Sequence, residues 1–426
     1  MPWLLLLLSL WGALGTLAAY HPSRHGRLRF VGSFLVGFVT IELAPHIIAM
    51  QVAGAVVLVA LGALDAWPGW LGLAIAVVSW ALLVGCVVQA RRSAVVMREV
   101  LADLAGDERG PKVPLVSKLF PLVPFRPGVR VVRNVEYHRV DGKRLRLDVY
   151  QPKGVQSGDR RQAVLQIHGG AWVLGDKREQ GIPIMHHLAA NGWVGFNANY
   201  RLSPKATFPD HLVDLKRALA WIREHAAEYG ADPDDVVVTG GSAGGHLAAL
   251  MALTANDPRY QPGFEDVDTS VTAAVPFYGV YDFTNRSGQY EPSFHKTLVE
   301  PLVMKARYAE EPDKFVEASP IDQVHPDAPP FLIIHGDRDS LAPVSDARLF
   351  VERLRAVSSE PVLYAEMHGS QHAFDIFPSI RSAHAIEGVE RFLTALRRRR
   401  VDVGDEVRLD EEVVDAGADT LNSAMD

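Results

Sequence analysis

The sequence predicts an α/β domain, a mostly parallel sheet with helices on both faces, preceded by an N-terminal bundle of transmembrane helices. About the first ninety of the 426 residues are overwhelmingly apolar, whereas the rest has the composition of a soluble protein. From about Val129, apolar runs of strand length alternate with amphipathic helical patterns, as in a sheet covered on both sides. A serine flanked by glycines, at 240–244, lies between one such strand and the next helix.

The apolar part, residues 1–92, contains three runs: 3–19, 30–64 and 70–90. A helix crosses the bilayer core with about 20 apolar residues, so the first and third runs each fit one span. The middle run exceeds one span and falls short of two, and Glu42, Pro45 and His46 interrupt it. It is either a hairpin of two short helices or one kinked helix, which gives three or four spans. Glu42 and His46 are either functional or lie at a turn near the membrane interface, and we favour the turn.

Arginine residues indicate the orientation of the spans, because cytoplasmic loops carry an excess of positive charge. They form two clusters, Arg24, Arg27 and Arg29 before the middle run and Arg91, Arg92 and Arg98 after the last run. Both clusters can be cytoplasmic only if an even number of spans separates them. The kinked helix meets this condition and the hairpin does not. We therefore favour a multi-pass membrane protein whose α/β domain faces the cytoplasm.

Two segments flank the α/β domain, which we place at 130–396. The connector at 93–129 contains prolines that exclude one continuous helix: Pro111, Pro114, Pro121, Pro124 and Pro127. After a basic run at 397–400, residues 401–426 hold nine acidic residues against one arginine, which predicts a disordered tail. The net charge of −7 indicates no nucleic-acid-binding surface, and the only cysteine, Cys86, excludes an internal disulfide.

The order of elements in the α/β domain follows from the hydrophobic periodicity. A hairpin around Asp141 and Gly142 opens the domain. Further strands are predicted at 163–170, 193–204, 235–239, 272–279, 329–337 and 361–367, and helices at 186–192, 209–230, from 246 onward, and at 341–356 and 380–396. The segment 281–320 between two strands is long and mixed in composition, as a cap inserted over a pocket would be.

The glycine-flanked Ser242 has the setting of a nucleophile elbow, a tight strand–turn–helix that lifts the hydroxyl clear of the sheet. The pattern alone is common by chance, so the prediction depends on a base and an orienting acid. Asp337 and Asp339 follow one later strand, and His368 and His372 follow the next. Both sets fall at the carboxyl ends of parallel strands, where such sheets place their ligands.

A glycine loop after the first buried strand, at 168–172, is where the oxyanion of a hydrolysis transition state would be bound. The expected donors are the backbone N–H groups of Gly169, Gly170 and Ala243, the last being the residue after the serine. His168 leads the loop and is interpreted as orienting it. Trp172, together with the cap, is expected to contact the acyl part of a substrate.

Five motifs together resemble the hormone-sensitive-lipase class of α/β-hydrolase esterases: HGGAW at 168–172, NYRLSP at 199–204, GGSAGG at 240–245, HGDRDSLAP at 335–343 and SQHAF at 370–374. The resemblance covers about residues 130–396. It implies the α/β-hydrolase fold, with Ser242 as nucleophile, Asp339 as the acid and His372 as the base.

Ala171 and Gly241 depart from the main branch of that class, which has a third glycine and an acidic residue at these positions. With these departures the chain is similar to isoprenylcysteine methylesterases and kynurenine formamidases. Its preceding spans are similar to those of membrane-bound actinobacterial carboxylesterases. We expect a membrane-anchored serine carboxylesterase acting on a small-molecule or lipid ester, without metal or cofactor. An aryl formamidase or amidase with the same triad, or a non-catalytic binding protein on this fold, is the alternative.

Overall fold

The computed structural model describes residues 1–22, 27–106, 110–122 and 128–400, except for the side chains of 27–31 and 292. The predicted acidic tail at 401–426 lies outside the described residues, as do Arg24, Pro124 and Pro127. The described part consists of an N-terminal group of apolar helices, a connector, and a sheet with helices on both faces.

The N-terminal helices are α1 (Pro2–Tyr20), α2 (Arg27–Glu42), α3 (Ala44–Ala60) and α4 (Trp67–Val100). Among the described residues, α1 and α4 are long and apolar enough to cross a membrane, and α2 with α3 adds a third span if the two are counted as one. The bend between α2 and α3 is 88°, which is neither a closed hairpin nor a gentle kink. Pro45 lies in the first turn of α3. An N–H group at that position has no acceptor within the helix, so proline costs no hydrogen bond there.

The connector begins later than predicted, because α4 continues beyond 93 to Val100. Two short helices follow, α5 (Ala102–Ala105) and α6 (Leu115–Leu119). Pro114 precedes α6, which ends after five residues. The described part of the connector is thus not one continuous helix, as the prolines predicted.

Eight strands of the described chain form a sheet in the order β1-β2-β4-β3-β5-β6-β7-β8. They are β1 (Val129–Val140), β2 (Lys143–Pro152), β3 (Arg161–Ile167), β4 (Val194–Ala198), β5 (Ala231–Gly241), β6 (Ala273–Phe277), β7 (Phe331–Gly336) and β8 (Val362–Met367). β1 and β2 form the predicted antiparallel hairpin around Asp141 and Gly142, both of which have positive φ. β2 and β4 are antiparallel, and the remaining pairs are parallel. The predicted α/β class is confirmed.

The helices of the domain are α7 (Ile182–Ala190), α8 (Asp210–His225), α9 (Ala243–Leu253), α10 (Pro292–Phe294, continued by a π-helix at His295–Met304), α11 (Pro312–Glu317), α12 (Val344–Val357) and α13, helical over 380–400. Neighbouring residues of a strand face opposite cores. Val236 and Val238 of β5 belong to the core with α8, α9 and α12, whereas Val237 belongs to the core with α7 and α13. Met97 of α4 joins this second core, so the end of α4 is part of the domain. The basic run at 397–400 is the exposed end of α13.

The predicted cap segment, 281–320, lies between β6 and β7 and contains α10 and α11. Val299 and Val303 of its π-helix are buried, and the Val303 carbonyl accepts a hydrogen bond of 3.0 Å from the Phe208 amide. The Ala318 carbonyl lies 2.7 Å from Nε2 of His246, one turn into α9. The insertion therefore packs directly behind the helix that begins after Ser242.

Candidate active site

Ser242 occupies a sharp turn between β5 and α9, with φ +59° and ψ −121°. Its amide donates to the Phe277 carbonyl of β6 at 3.0 Å, and its carbonyl accepts from the His246 amide at 3.0 Å. The turn has no room for side chains around it. A Cβ added to Gly244 would lie 2.2 Å from the Ile167 carbonyl oxygen, and one added to Gly241 would lie 2.6 Å from Oη of Tyr278. The strand–turn–helix expected for 240–244 is therefore present, and its glycines are required by close backbone packing.

Asp339 and His372 form a buried pair at the carboxyl ends of β7 and β8, with Nδ1 of His372 2.6 Å from Oδ2 of Asp339. The other carboxylate oxygen, Oδ1, accepts from the amides of Leu341 and Ala342 at 2.8 Å each. Burial alone would raise the pKa of Asp339, but attraction to His372 and hydrogen bonds from His335 and His372 hold it well below its ordinary value. The carboxylate is thus charged and orients the imidazole through Nδ1–H.

The competing acid and base pair with each other. Oδ2 of Asp337 lies 3.3 Å from Nδ1 of His368, whose side chain is 60% exposed. Oδ1 of Asp337 accepts from the Gly369 amide at 2.8 Å, which makes Asp337 a loop-shaping residue. The structure therefore separates the two alternatives, and only Asp339 with His372 forms a buried pair. Among the described residues, no group of three His, Cys, Asp or Glu side chains is arranged to hold a metal ion.

Tyr278 connects the serine turn with the imidazole. Its ring centroid lies 4.6 Å from that of His372, and its hydroxyl is the group that a side chain on Gly241 would meet. The hydroxyl donates to Asp375 three residues after His372. A bond between Oγ of Ser242 and Nε2 of His372 is not among the hydrogen bonds of the described residues. Such bonds often tighten only when substrate binds.

The glycine loop lies against the serine as expected, but one of the three amides predicted to bind the oxyanion already has a partner. A Cβ on Gly169 would lie 3.0 Å from Cβ of Ser242. The Gly169 amide, however, donates to Oε1 of Gln180 at 2.8 Å, which corrects its assignment as a free oxyanion donor. The amides of Gly170 and Ala243, and also that of Ala171, have no hydrogen-bond partner among the described residues. No motif in the sequence indicates Gln180, so sequence reasoning missed it.

His168 orients the loop as expected. It is buried, its Nδ1 lies 2.7 Å from the Gly169 carbonyl oxygen, and its ring stacks on Tyr200 with centroids 4.5 Å apart. Tyr200 belongs to the NYRLSP motif, and its hydroxyl donates to the His168 carbonyl at 3.0 Å. Burial lowers the pKa of His168, which makes its imidazole a weak proton acceptor.

Trp172 differs from the expectation that it contacts substrate directly. Its side chain is 1% exposed, and the indole N–H donates to Nδ1 of His246 at 3.1 Å. His246 stacks on Phe283 of the insertion, and burial lowers the pKa of His246 to about 3. A neutral imidazole is thus available as the acceptor that a buried indole needs. Trp172 therefore anchors the glycine loop at 168–172 to His246 of α9.

The N-terminal helices contact the site at points that sequence reasoning also missed. The rings of Phe34 in α2 and His372 lie at 68° to each other, with centroids 6.2 Å apart. Phe38, one turn later, stacks on Phe377 at 5.4 Å. The guanidinium of Arg338 lies 4.8 Å from the ring centroid of Tyr20, at the end of α1. Aromatic residues in an apolar span give no signal that distinguishes such contacts from lipid contacts.

Comparison with known proteins identifies relatives of this domain. A family model described as BD-FAE matches residues 147–354. The probable carboxylic ester hydrolase LipM of Mycobacterium tuberculosis is 50% identical over 252 residues, which cover 59% of this chain and 58% of that protein. The probable isoprenylcysteine alpha-carbonyl methylesterase ICMEL1 of Arabidopsis thaliana is 27% identical over 261 residues, covering 59% and 52%. The chain thus spans little more than half the length of these relatives.

Solved structures give the same result for the fold. The propionate-bound esterase Est2 of Thermogutta terrifontis is 27% identical, with a TM-score of 0.52 over 65% of this chain and 95% of that one. These relatives are named as a carboxylic ester hydrolase, a methylesterase and an esterase. The chain therefore has the α/β-hydrolase fold of these esterases, and the BD-FAE model is similar to its residues 147–354.

Proposed function

We propose that the protein is a membrane-anchored serine carboxylesterase, with Ser242 as nucleophile, His372 as base and Asp339 as orienting acid. The observation that carries this proposal is the buried 2.6 Å pair of His372 and Asp339 at the sheet edge where the strained turn presents Ser242. Relatives that match this part of the chain are named carboxylic ester hydrolases or esterases, which supports the same reaction.

In the first half-reaction, Oγ of Ser242 attacks the ester carbonyl carbon while Nε2 of His372 takes the hydroxyl proton. The charge on His372 is stabilised by Asp339, whose lowered pKa keeps it anionic. The tetrahedral intermediate then collapses, the bond to the alcohol oxygen breaks, and His372 returns the proton to that alcohol. The product is an acyl-enzyme on Ser242.

In the second half-reaction, a water molecule gives its proton to His372 and attacks the acyl carbon. Collapse of this intermediate returns the proton to Oγ of Ser242 and releases the carboxylic acid. In both intermediates the negative oxygen is bound by the amides of Gly170 and Ala243, with Ala171 as the adjoining donor. Removal of one such donor raises the barrier by about 2.7–4 kcal/mol.

Membrane anchoring is supported by the apolar side chains that α1 and α4 leave exposed. Leu7, Trp11 and Leu14 of α1 are 61–74% exposed, which is unfavourable in water and suits a lipid environment. Trp3 and Trp67, at the starts of α1 and α4, contact each other with ring centroids 5.6 Å apart, where interfacial aromatics belong. With 34 residues, α4 is about 51 Å long and exceeds the bilayer core, so it extends into the domain.

The substrate that suits this setting is an apolar carboxylic ester. Phe34 places an aromatic ring beside His372, and the helix that carries it belongs to the apolar N-terminal part. Solved relatives carry propionate or butyrate, which are short acyl products. We therefore expect hydrolysis of short-to-medium acyl esters or of a lipid ester. We also propose that the domain faces the cytoplasm, following the arginine clusters.

The proposal is tested on the full chain purified in detergent. Wild type, Ser242→Ala and Ser157→Ala, an exposed serine between β2 and β3, are assayed on esters of increasing acyl length, on N-formylkynurenine, and with a fluorophosphonate probe. We expect wild type and Ser157→Ala to hydrolyse esters and to be labelled, and Ser242→Ala to do neither. Preference for the formamide would assign a formamidase instead. A wild type that neither turns over substrate nor labels would contradict the hydrolase assignment.

A further inference from the structure

The break between α2 and α3 carries a buried ion pair that reaches the catalytic domain. Glu42 is the last residue of α2, and Arg381 lies in the first turn of α13; both side chains are at most 1% exposed. Oε1 of Glu42 accepts from Nε of Arg381 at 3.1 Å, and Oε2 accepts from the Ser379 hydroxyl at 2.6 Å. Glu42 thus lies at the turn between two helices, as favoured from the sequence, and its carboxylate is in addition buried and paired with the α/β domain. A buried charge in an apolar segment is unfavourable unless paired, and such residues are functional candidates.

The guanidinium of Arg381 has a second set of partners. Nη1 donates to the His368 carbonyl at 3.0 Å, and Nη2 donates to the Gly369 carbonyl at 3.2 Å. Because Glu42 holds the Nε side, the two terminal nitrogens are directed at the segment that leads to His372. Gly369 has φ +69°, and a Cβ there would lie 2.1 Å from Oε1 of Gln89 in α4. The turn is thus held between Arg381 and a second N-terminal helix.

The segment 368–372 is hydrogen-bonded to the loop of the predicted acid, and these bonds fix the backbone that carries the imidazole. Hydrogen bonds of 2.8–2.9 Å run from the Gly369 amide to Asp337, from the Arg338 amide to the Ser370 carbonyl, and from the amides of Ser340 and His372 to Oε1 of Gln371. A shift of the Gly369 turn therefore changes the position of His372 relative to Asp339.

We propose that Glu42 is a positioning residue for His372. Through Arg381 it fixes the carbonyls of His368 and Gly369, and so holds the imidazole in register with Asp339 and Ser242. The N-terminal helices are then part of the active-site architecture as well as a membrane anchor. An anchor alone needs no contact with this loop, whereas Phe34 of the same helix also touches the His372 ring. The kinetic consequence rests on the proposed esterase function; the structural consequence does not.

The kinetic test compares Glu42→Ala and Glu42→Gln with wild type, in the full chain. Glu42→Ala removes both carboxylate contacts, whereas Glu42→Gln keeps an acceptor for Arg381 and a polar group for Ser379. Since misplacement by about 1 Å costs about 10²-fold in rate, we expect kcat to fall between about tenfold and 10²-fold in Glu42→Ala, with KM changed by less than about twofold. Glu42→Gln should restore most of kcat.

The matched control is Thr16→Val. It breaks the buried 2.7 Å hydrogen bond between Thr16 of α1 and Ser79 of α4, which does not touch the loop of His372. We expect a lower melting temperature with kcat unchanged. A fall of kcat in Thr16→Val that matches the fall in Glu42→Ala at equal loss of stability would show a general structural effect and overturn the proposal.

A second readout does not require catalysis. The proton between Nδ1 of His372 and Asp339 lies in a short bond and should give a low-field ¹H resonance. We expect this resonance in wild type and Thr16→Val, and its shift or loss in Glu42→Ala. Wild-type kcat together with an unshifted resonance in Glu42→Ala would refute the positioning role. A resonance that responds to Glu42 in a wild type without ester turnover would support positioning while rejecting the esterase.

Arg381→Lys provides the same readouts if Glu42→Ala does not fold. Lysine keeps the charge next to Glu42, but its single nitrogen cannot reach the carboxylate and both carbonyls in the geometry of the guanidinium. We expect kcat and the resonance to change as in Glu42→Ala. Unchanged values for both would overturn the proposal.

Discussion

The serine turn and the loop of the predicted base are held in place by different parts of the chain. Around Ser242 the contacts come from neighbouring strands, since Gly244 lies against the Ile167 carbonyl of β3 and Gly245 against the Phe277 carbonyl of β6. The loop before His372 is held from α2, through an ion pair that joins residues 339 positions apart. One half of the site is thus a product of the sheet, and the other half depends on the N-terminal helices.

The largest expected loss of kcat distinguishes the two acid–histidine pairs in the loops after β7 and β8. Asp339→Asn keeps the shape but no longer selects the Nδ1–H tautomer of His372, so kcat should fall by about 10⁴-fold. Asp337→Asn, whose partner His368 is exposed, should change kcat by less than about threefold. Both are measured by steady-state hydrolysis and by the rate of fluorophosphonate labelling. Equal losses in the two variants would contradict the assignment of Asp339.

In the serine turn, a substitution at Gly244 is expected to have the largest effect. An added Cβ would lie 2.2 Å from the Ile167 carbonyl oxygen, a backbone atom that cannot move aside, so Gly244→Ala should destabilise the fold by about 1–3 kcal/mol or more and displace Ser242. We expect loss of most ester turnover, measured with thermal unfolding. Gly54→Ala is the control, because Gly54 has no atom within 4 Å of its added Cβ. Retention of full activity in Gly244→Ala would show that the turn tolerates a shift.

The same comparison explains what could be predicted from the sequence. The serine turn was predictable because its requirements are local: glycines where backbones touch, a strand before and a helix after. Asp339 and His372 were placed by position, as each follows a strand whose carboxyl end lies at the same edge of a parallel sheet. The choice between Asp337 and Asp339 came from resemblance, and the structure gives its physical basis in burial.

The remaining features depend on partners that no local pattern identifies. The sequence showed that Glu42 interrupts an apolar run, but its partner Arg381 resembles any other arginine of a helix start. Gln180 accepts a hydrogen bond from the Gly169 amide, although it lies 11 residues further along the chain. Trp172 looked like a pocket residue because the motif does not reveal which side of the loop the indole occupies. In each case the decisive quantity is a contact between distant segments.

A smaller effect tests the link between α1 and the loop of the acid. Tyr20 supports Arg338 through its ring, and its hydroxyl donates to the Leu82 carbonyl of α4 at 2.7 Å. Tyr20→Leu removes both interactions, whereas Tyr20→Phe keeps the ring. Since an exposed cation–π contact is worth about 0.5–1 kcal/mol, we expect Tyr20→Leu to lower kcat by about two- to fivefold and Tyr20→Phe to leave it near wild type. Identical kcat in all three proteins would confine the role of α1 to anchoring.

The smallest expected effect on activity comes from a group whose titration changes stability. The pH dependence of stability distinguishes two carboxyl groups near the site, Asp346 and Asp339. Asp346, in the first turn of α12, accepts from the Tyr281 amide at 2.7 Å and the Tyr290 hydroxyl at 2.8 Å, and burial raises its pKa to about 7. A raised pKa means that the folded state holds the proton longer than the unfolded state does. The stability that this group contributes is complete below about pH 4 and is lost as the pH rises through about 7.

Asp339 has the opposite sign, because its pKa is lowered: its contribution is present above about pH 4 and is lost only as the pH falls further. Asp346→Asn should therefore flatten the decline in melting temperature between pH 5 and pH 8, measured by thermal unfolding at fixed ionic strength. The activity profile should keep the shape set by His372, since Asp346 does not touch the reacting groups. Parallel stability curves for wild type and Asp346→Asn would mean that Asp346 does not titrate in this range. The pH dependence of stability between pH 5 and pH 8 would then have to come from other titratable groups.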